Sequence, residues 1–161
     1  MKTMTSRERV RAAIRHQQPD RVPLDLGTTP VTGIHVSTYT RLRGALGFPR
    51  KPARVEEPFQ MLAQVEPEVA DKLGVDTVGL SMPNTLFGFP NVNWKPFKLF
   101  DGTDVMVSEY FRVKKDPNGD LLIYPKGDTS APPSGRMPKD GDFFDAIVRQ
   151  EPNAEDKLEP S

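Results

Sequence analysis

The sequence contains no cysteine, which excludes disulfides and thiolate metal ligands within these residues and fits a reducing compartment. It also lacks net charge, since 22 Lys and Arg balance 22 Asp and Glu. Without a basic excess there is no electrostatic footprint for nucleic acid, and none is expected as a partner. No apolar run approaches the roughly 18 residues that cross a bilayer. The opening MKTMTSRERV carries no hydrophobic region of the secretory kind. The expectation is a cytoplasmic protein with no membrane partner. Hydrophobic residues make up 36% of the chain, which allows a lean core. What the sequence does have is proline, 17 residues, most of them after residue 48, which call for reversals and loops there.

The first half reads as alternating strands and helices. Thr5 with Glu8 forms a capping box, Val10, Ala13, Ile14 and Gln17 follow helical spacing, and Pro19 forbids continuation, so a helix is expected from Ser6 to about Gln17. Val22, Leu24 and Leu26 alternate with Arg21, Pro23 and Asp25, the period of a short strand, closed by Gly27. Ser37 can cap a helix carrying Tyr39, Leu42, Ala45 and Leu46 on one face. The EEP at 56–58 suits the positive end of another helix, with Phe59, Leu62, Ala63 and Val65 continuing it. Pro67 then kinks it before Val69, Ala70 and Leu73, and Gly74 ends it. The β-branched VDTVGL at 75–80 reads as a second strand. Helical crossovers between such strands build parallel sheets, so this half is α/β.

From Pro83 onward aromatics and prolines dominate. DPNG suits a type I turn and sets residues 109–115 and 120–125 as an antiparallel hairpin. Residues 127–141 read as a loop, DFFDAIVRQ as one or two helical turns, and EPNAEDKLEPS as a frayed tail. The divisions are therefore residues 1–85, an aromatic and Pro-rich insertion at 86–145, and a tail at 146–161.

TSRERVRAAIRHQQPDRVPLDLG resembles the opening of the uroporphyrinogen decarboxylase superfamily, in particular the branch that includes the methylcobamide:coenzyme M methyltransferases. The run from Asp101 to Asp145 resembles an insertion found in family members of uncertain substrate. The resemblance implies the N-terminal portion of a (β/α)₈ barrel, a fold that needs roughly 250 residues, with the hairpin region inserted. Asp25 would then stand at the C-terminal end of the first barrel strand, where barrel active sites are built. The implied parent enzyme carries zinc on a His and two Cys and moves a methyl group from a corrinoid partner to a thiol-type acceptor. None of those zinc ligands is expected in this fragment, which by itself is expected to be inactive and without a cofactor. Decarboxylation by the parent is the first alternative. It is disfavoured because no Arg lies between Arg21 and Arg41, where decarboxylases hold substrate carboxylates, and because SMPNTLFG lacks the Asp those enzymes place after the second strand. A non-catalytic interaction module is the second alternative.

The candidate residues each have two readings. Asp25 either orients substrate at the barrel mouth, as the catalytic candidate, or caps the turn at Gly27 to Thr29. His35, ahead of a helix, is a substrate-binding candidate, whereas His16 complements a helix dipole. Arg136 either clamps an anionic substrate group or sits solvated on the surface. Phe87, Phe89, Trp94, Phe97 and Phe100 either offer a flat face to a corrin ring or pin their loop onto the core, and packing is the favoured reading.

Overall fold

Within residues 3–147, which the computed structural model describes, the first helix is α1 (Ser6–Ile14). Its capping box is complete: Glu8 N–H donates to Thr5 Oγ1, and the Glu8 carboxylate accepts from the Thr5 N–H. The helix stops before Gln17 because Arg15 caps it and His16 takes a left-handed conformation, φ 55°. The α2 helix (Val36–Ala45) is capped by the His35 ring rather than by Ser37, and Gly47 follows it at φ 84°. The α3 helix (Pro67–Leu73) begins at Pro67 and ends on left-handed Gly74, so this proline starts a helix instead of kinking one.

The helix expected from EEP is replaced by two strands, β1 (Ala53–Glu57) and β2 (Leu62–Ala63). Ala53, Val55 and Glu57 point inward in alternation, the strand period. The Glu57 carboxylate then accepts from Phe59 N–H and Gln60 N–H at 2.8 Å each, which folds the chain back as a hairpin. Residues 22–26 and 75–80 belong to no sheet. They are extended, but Pro23 has no N–H to give and Val22, Val78 and Leu80 lie in solvent instead of against a neighbouring strand.

Among the described residues there are two four-stranded sheets. The first adds β3 (Lys95–Lys98) and β4 (Asp104–Val107) in the order β2-β1-β4-β3, with β1 and β4 parallel and the other pairs antiparallel. The second is antiparallel throughout, in the order β5-β6-β7-β8: β5 (Val113–Lys115), β6 (Leu121–Ile123), β7 (Gly135–Met137) and β8 (Asp145–Ala146). The DPNG hairpin forms as expected, closed by Gly119 N–H on Asp116 O at 3.0 Å. The supposed loop at 127–141 contains β7, because Arg136 pairs with Leu122 across the ladder. Asp145 and Ala146 form β8 where helical turns were expected, and residues 148–150 of that stretch, with the tail at 151–161, lie outside the described residues.

One apolar core joins the sheets to α2. Val36 and Tyr39 meet Val55, Met61, Val105 and Val107, and a chain of ring contacts runs from Phe59 through Phe87, Phe144 and Phe111 to Phe97. Phe87 and Phe89 are buried and stacked on each other at 6.3 Å, so these aromatics serve packing, the favoured reading. Burial of that core also pushes the Tyr39 hydroxyl up to about 12, against the opposing effect of the Glu66 N–H.

Candidate functional site

The two extended segments lie side by side and run in the same direction. Leu24 O accepts from Asp76 N–H at 2.8 Å, Thr77 Oγ1 donates to Asp25 Oδ1 at 2.8 Å, and Gly79 packs on Thr28 so closely that a Cβ there would come within 2.8 Å of Thr28 O. Gly27 is needed at the turn that follows. Its φ is 76°, and a Cβ would fall 2.5 Å from Val65 Cγ2.

Asp25 sits half-buried at the far end of this pair. Its Oδ1 accepts from Thr28 Oγ1 at 2.6 Å as well as from Thr77. Burial alone would raise its carboxyl, but the hydroxyls of Thr28, Thr77 and Thr32 and the Thr28 N–H outweigh it and hold the group below the usual carboxylate range. At neutral pH such a group is an anion that accepts hydrogen bonds or attracts a cation, and it is too acidic to serve as a general acid.

Beneath it lies a network of four charges that the sequence reading did not anticipate. Arg9 is buried on the inner face of α1 beside Ala12. Its Nε donates to Asp20 Oδ1 at 2.6 Å and its Nη1 to Asp76 Oδ1 at 2.5 Å, while Nη2 reaches Met4 O. Asp76 is fully enclosed and takes Arg21 Nη1 on its other oxygen at 2.6 Å, together with the Leu24 N–H. Arg9 holds the Asp20 carboxyl far below its usual value. Burial opposes ionisation of Asp76, but the Leu24 N–H and the two guanidinium groups overcome it and drive that carboxyl down as well. Arg9 itself is pushed up, chiefly by its bond to Asp20. The one sequence signal was the Asp20-Arg21 dipeptide. Nothing local marks Arg9 as the residue that turns inward.

The other two candidates lie on the sheet side of the molecule. His35 caps α2 through Nδ1, which accepts from Ser37 N–H at 3.3 Å, so its Nε2 carries the proton and donates to Asp142 O at 3.0 Å. His35 thereby ties α2 to the segment before β8. It also lines an open cleft of about 590 Å³. Arg136 stands on β7 and gives its Nε to Asp120 Oδ2 at 2.5 Å, with Nη2 on the same oxygen. Asp120 also accepts the Lys139 N–H at 2.7 Å, and that bond, helped by Arg136, holds its carboxyl below the usual value against the opposing effect of burial. Arg136 is thus half-exposed yet engaged as a brace between β6 and β7. No hydrogen bond or ion pair among the described residues joins Asp25, His35 and Arg136 to one another.

The described residues contain no group of three or more His, Cys, Asp and Glu arranged for a metal ion, and the whole sequence has no Cys. The zinc ligands implied by the resemblance are therefore not supplied by these residues. No helix among the described residues is long and apolar enough to cross a membrane. Compared with protein-family models, curated proteins and solved structures, the chain matches none of them.

Proposed function

We propose that this chain forms the opening strand-helix units of a uroporphyrinogen decarboxylase-like barrel, whose complete protein moves a methyl group from a corrinoid to a thiol-type acceptor. The observation that carries this reading is the parallel alignment of residues 24–28 with 76–79, joined at Leu24 and Asp76 and again at Asp25 and Thr77. Adjacent first and second strands of a parallel barrel meet in this way, and the connection between them holds α2 and α3 with the β1–β2 hairpin set between them. The apolar side chains of the pair face water: Val22 is 81% exposed, Val78 92% and Leu80 91%. Such a surface is what further strands and helices of a barrel would cover. Asp25 then takes the position of a site carboxylate, with Thr28 and Thr77 fixing its orientation. Decarboxylation remains less favoured because no Arg lies between Arg21 and Arg41.

Asp25→Asn in a complete protein carrying the same DRVPLDLG is the test, assayed for methyl transfer from a methylated corrinoid to a thiol. Turnover is expected to fall by about ten- to a hundredfold, the range of groups that position a reacting partner, with the melting temperature nearly unchanged. Full turnover with a lowered melting temperature would make Asp25 a turn cap and overturn the reading.

A further inference from the structure

Asn118 differs from the other asparagines among the described residues, Asn84, Asn91 and Asn93. Those three precede Thr85, Val92 and Trp94, whose side chains crowd the peptide nitrogen that follows each asparagine. Asn91 and Asn93 also have their amides committed, Nδ2 of the first donating to Glu56 O at 2.6 Å and Nδ2 of the second to Glu109 Oε1 at 2.7 Å. Asn118 precedes Gly119 and is exposed, and its side-chain amide takes part in no hydrogen bond among the described residues.

The turn brings the two reacting groups together. Asp116, Pro117, Asn118 and Gly119 make the reversal between β5 and β6, with Gly119 at φ 90°. The Gly119 N–H is held by Asp116 O at 3.0 Å, and the Asn118 N–H by Asp116 Oδ1 at 2.9 Å. Both bonds lie outside the β5–β6 ladder, which begins where Lys115 pairs with Leu121, so the turn can open while the ladder stays formed.

We propose that Asn118 is a site of spontaneous covalent modification, at which asparagine is converted to aspartate and isoaspartate. When the turn opens, the Gly119 nitrogen gives its proton to solvent and attacks Asn118 Cγ. The new bond closes a five-membered succinimide, and the side-chain nitrogen takes up a proton and leaves as ammonia. Water then adds to either ring carbonyl. One opening restores the main chain with aspartate at 118, and the other routes the main chain through the side chain as isoaspartate. Water is the only co-reactant. Both products put a carboxylate between Asp116 and Asp120, and isoaspartate lengthens by one methylene the turn that sets Lys115 against Leu121. The hairpin thus carries a one-way change of charge and length that accumulates with time.

Incubating the folded full chain at physiological temperature and mildly alkaline pH, followed by peptide mapping with mass spectrometry, tests the proposal. Asn118 should convert about tenfold faster than Asn84, Asn91 or Asn93, because glycine alone leaves the attacking nitrogen unhindered. Conversion should quicken as pH rises, since that nitrogen must lose its proton, and chromatography should separate an isoaspartyl peptide from the aspartyl one. In Asn118→Ser the acidic species that form with time in the parent chain should be missing. A parallel incubation in guanidinium chloride gives the rate without the turn. If Asn118 in the folded chain converts no faster than the other three, even where the unfolded chain converts it readily, the closed turn shields the site and the proposal is overturned. Aspartate formed without isoaspartate, the outcome of direct hydrolysis, would also overturn it.

Discussion

Helix α1 and the extended segments at 20–28 and 75–79 are joined through charge, whereas the two sheets share a core of aromatic and aliphatic side chains. Arg9, Asp20, Arg21 and Asp76 reach across from three separate stretches of chain, each satisfying a group that would otherwise be stranded. Phe87, Phe111 and Phe144 need no such matching, because apolar contact is non-directional and adds up by area. An ionic joint is selective and brittle: it depends on every member. A packed core is tolerant at its edge and costly to hollow at its centre.

The largest effect should come from the centre of the sheets. Phe144 is fully buried and touches the rings of both Phe87 and Phe111, and its N–H donates to Phe59 O. Phe144→Ala should lower the unfolding free energy by about 4 kcal/mol, measured by denaturant titration. Next comes Asp76→Ala, which strips both guanidinium groups of a shared partner and should cost about 3 kcal/mol. Acid should reproduce that loss. Asp20, Asp25 and Asp76 all have folded values below their unfolded ones, so what they contribute is fully present above about pH 4. It is lost as pH falls further, through their folded values. Glu57 runs the other way, since burial raises it despite the N–H groups of Gln60 and Phe59, and its cost appears as pH rises past its ordinary value. Hydrogen exchange followed from neutral pH down to about pH 2, expressed as protection relative to the intrinsic rate at each pH, should therefore show protection lost in α1 before it is lost in the sheets. Should the sheets loosen first, the division of labour drawn here is wrong. The smallest change is Thr5→Ala, which removes one half of the capping box at an exposed helix end and should cost about 1 kcal/mol.

Local signals were legible in the sequence, and long-range ones were not. Thr5 with Glu8, Gly74 after Leu73 and the DPNG turn each specify a conformation within a few residues, and each is found where expected. The EEP segment misled because acidic residues before a proline suit a helix start as well as a strand end. The Glu57 carboxylate, which folds back on the amides of Phe59 and Gln60, decided for the strand. The β7 strand was hidden in a loop-like composition, since its partner Leu121–Ile123 supplies the ladder that its own residues do not advertise. At the candidate site, Asp25 could be singled out from its place after an alternating run. The threonines that hold it could not, because Thr77 lies far along the chain. Arg9 escaped notice for the same reason: its inward orientation is set by Asp20 and Asp76 rather than by anything within α1.

The parallel pairing of Ala53 with Val105 also fixes the order in which the molecule can assemble. The hairpin from Val113 to Ile123 closes over a tight turn and can nucleate by itself in microseconds or so, the usual scale for such a unit. The junction of β1 with β4 must instead await a long stretch of intervening chain, which includes α3 and the exposed residues around Val78. Loop closure of that span carries an entropic barrier that no neighbouring turn relieves. The joining of β1 to β4 is thus the expected late event of folding, and until it forms, the facing edge of β4 is open to other chains alongside the apolar strip at Val78 and Leu80, which stays exposed in the folded chain.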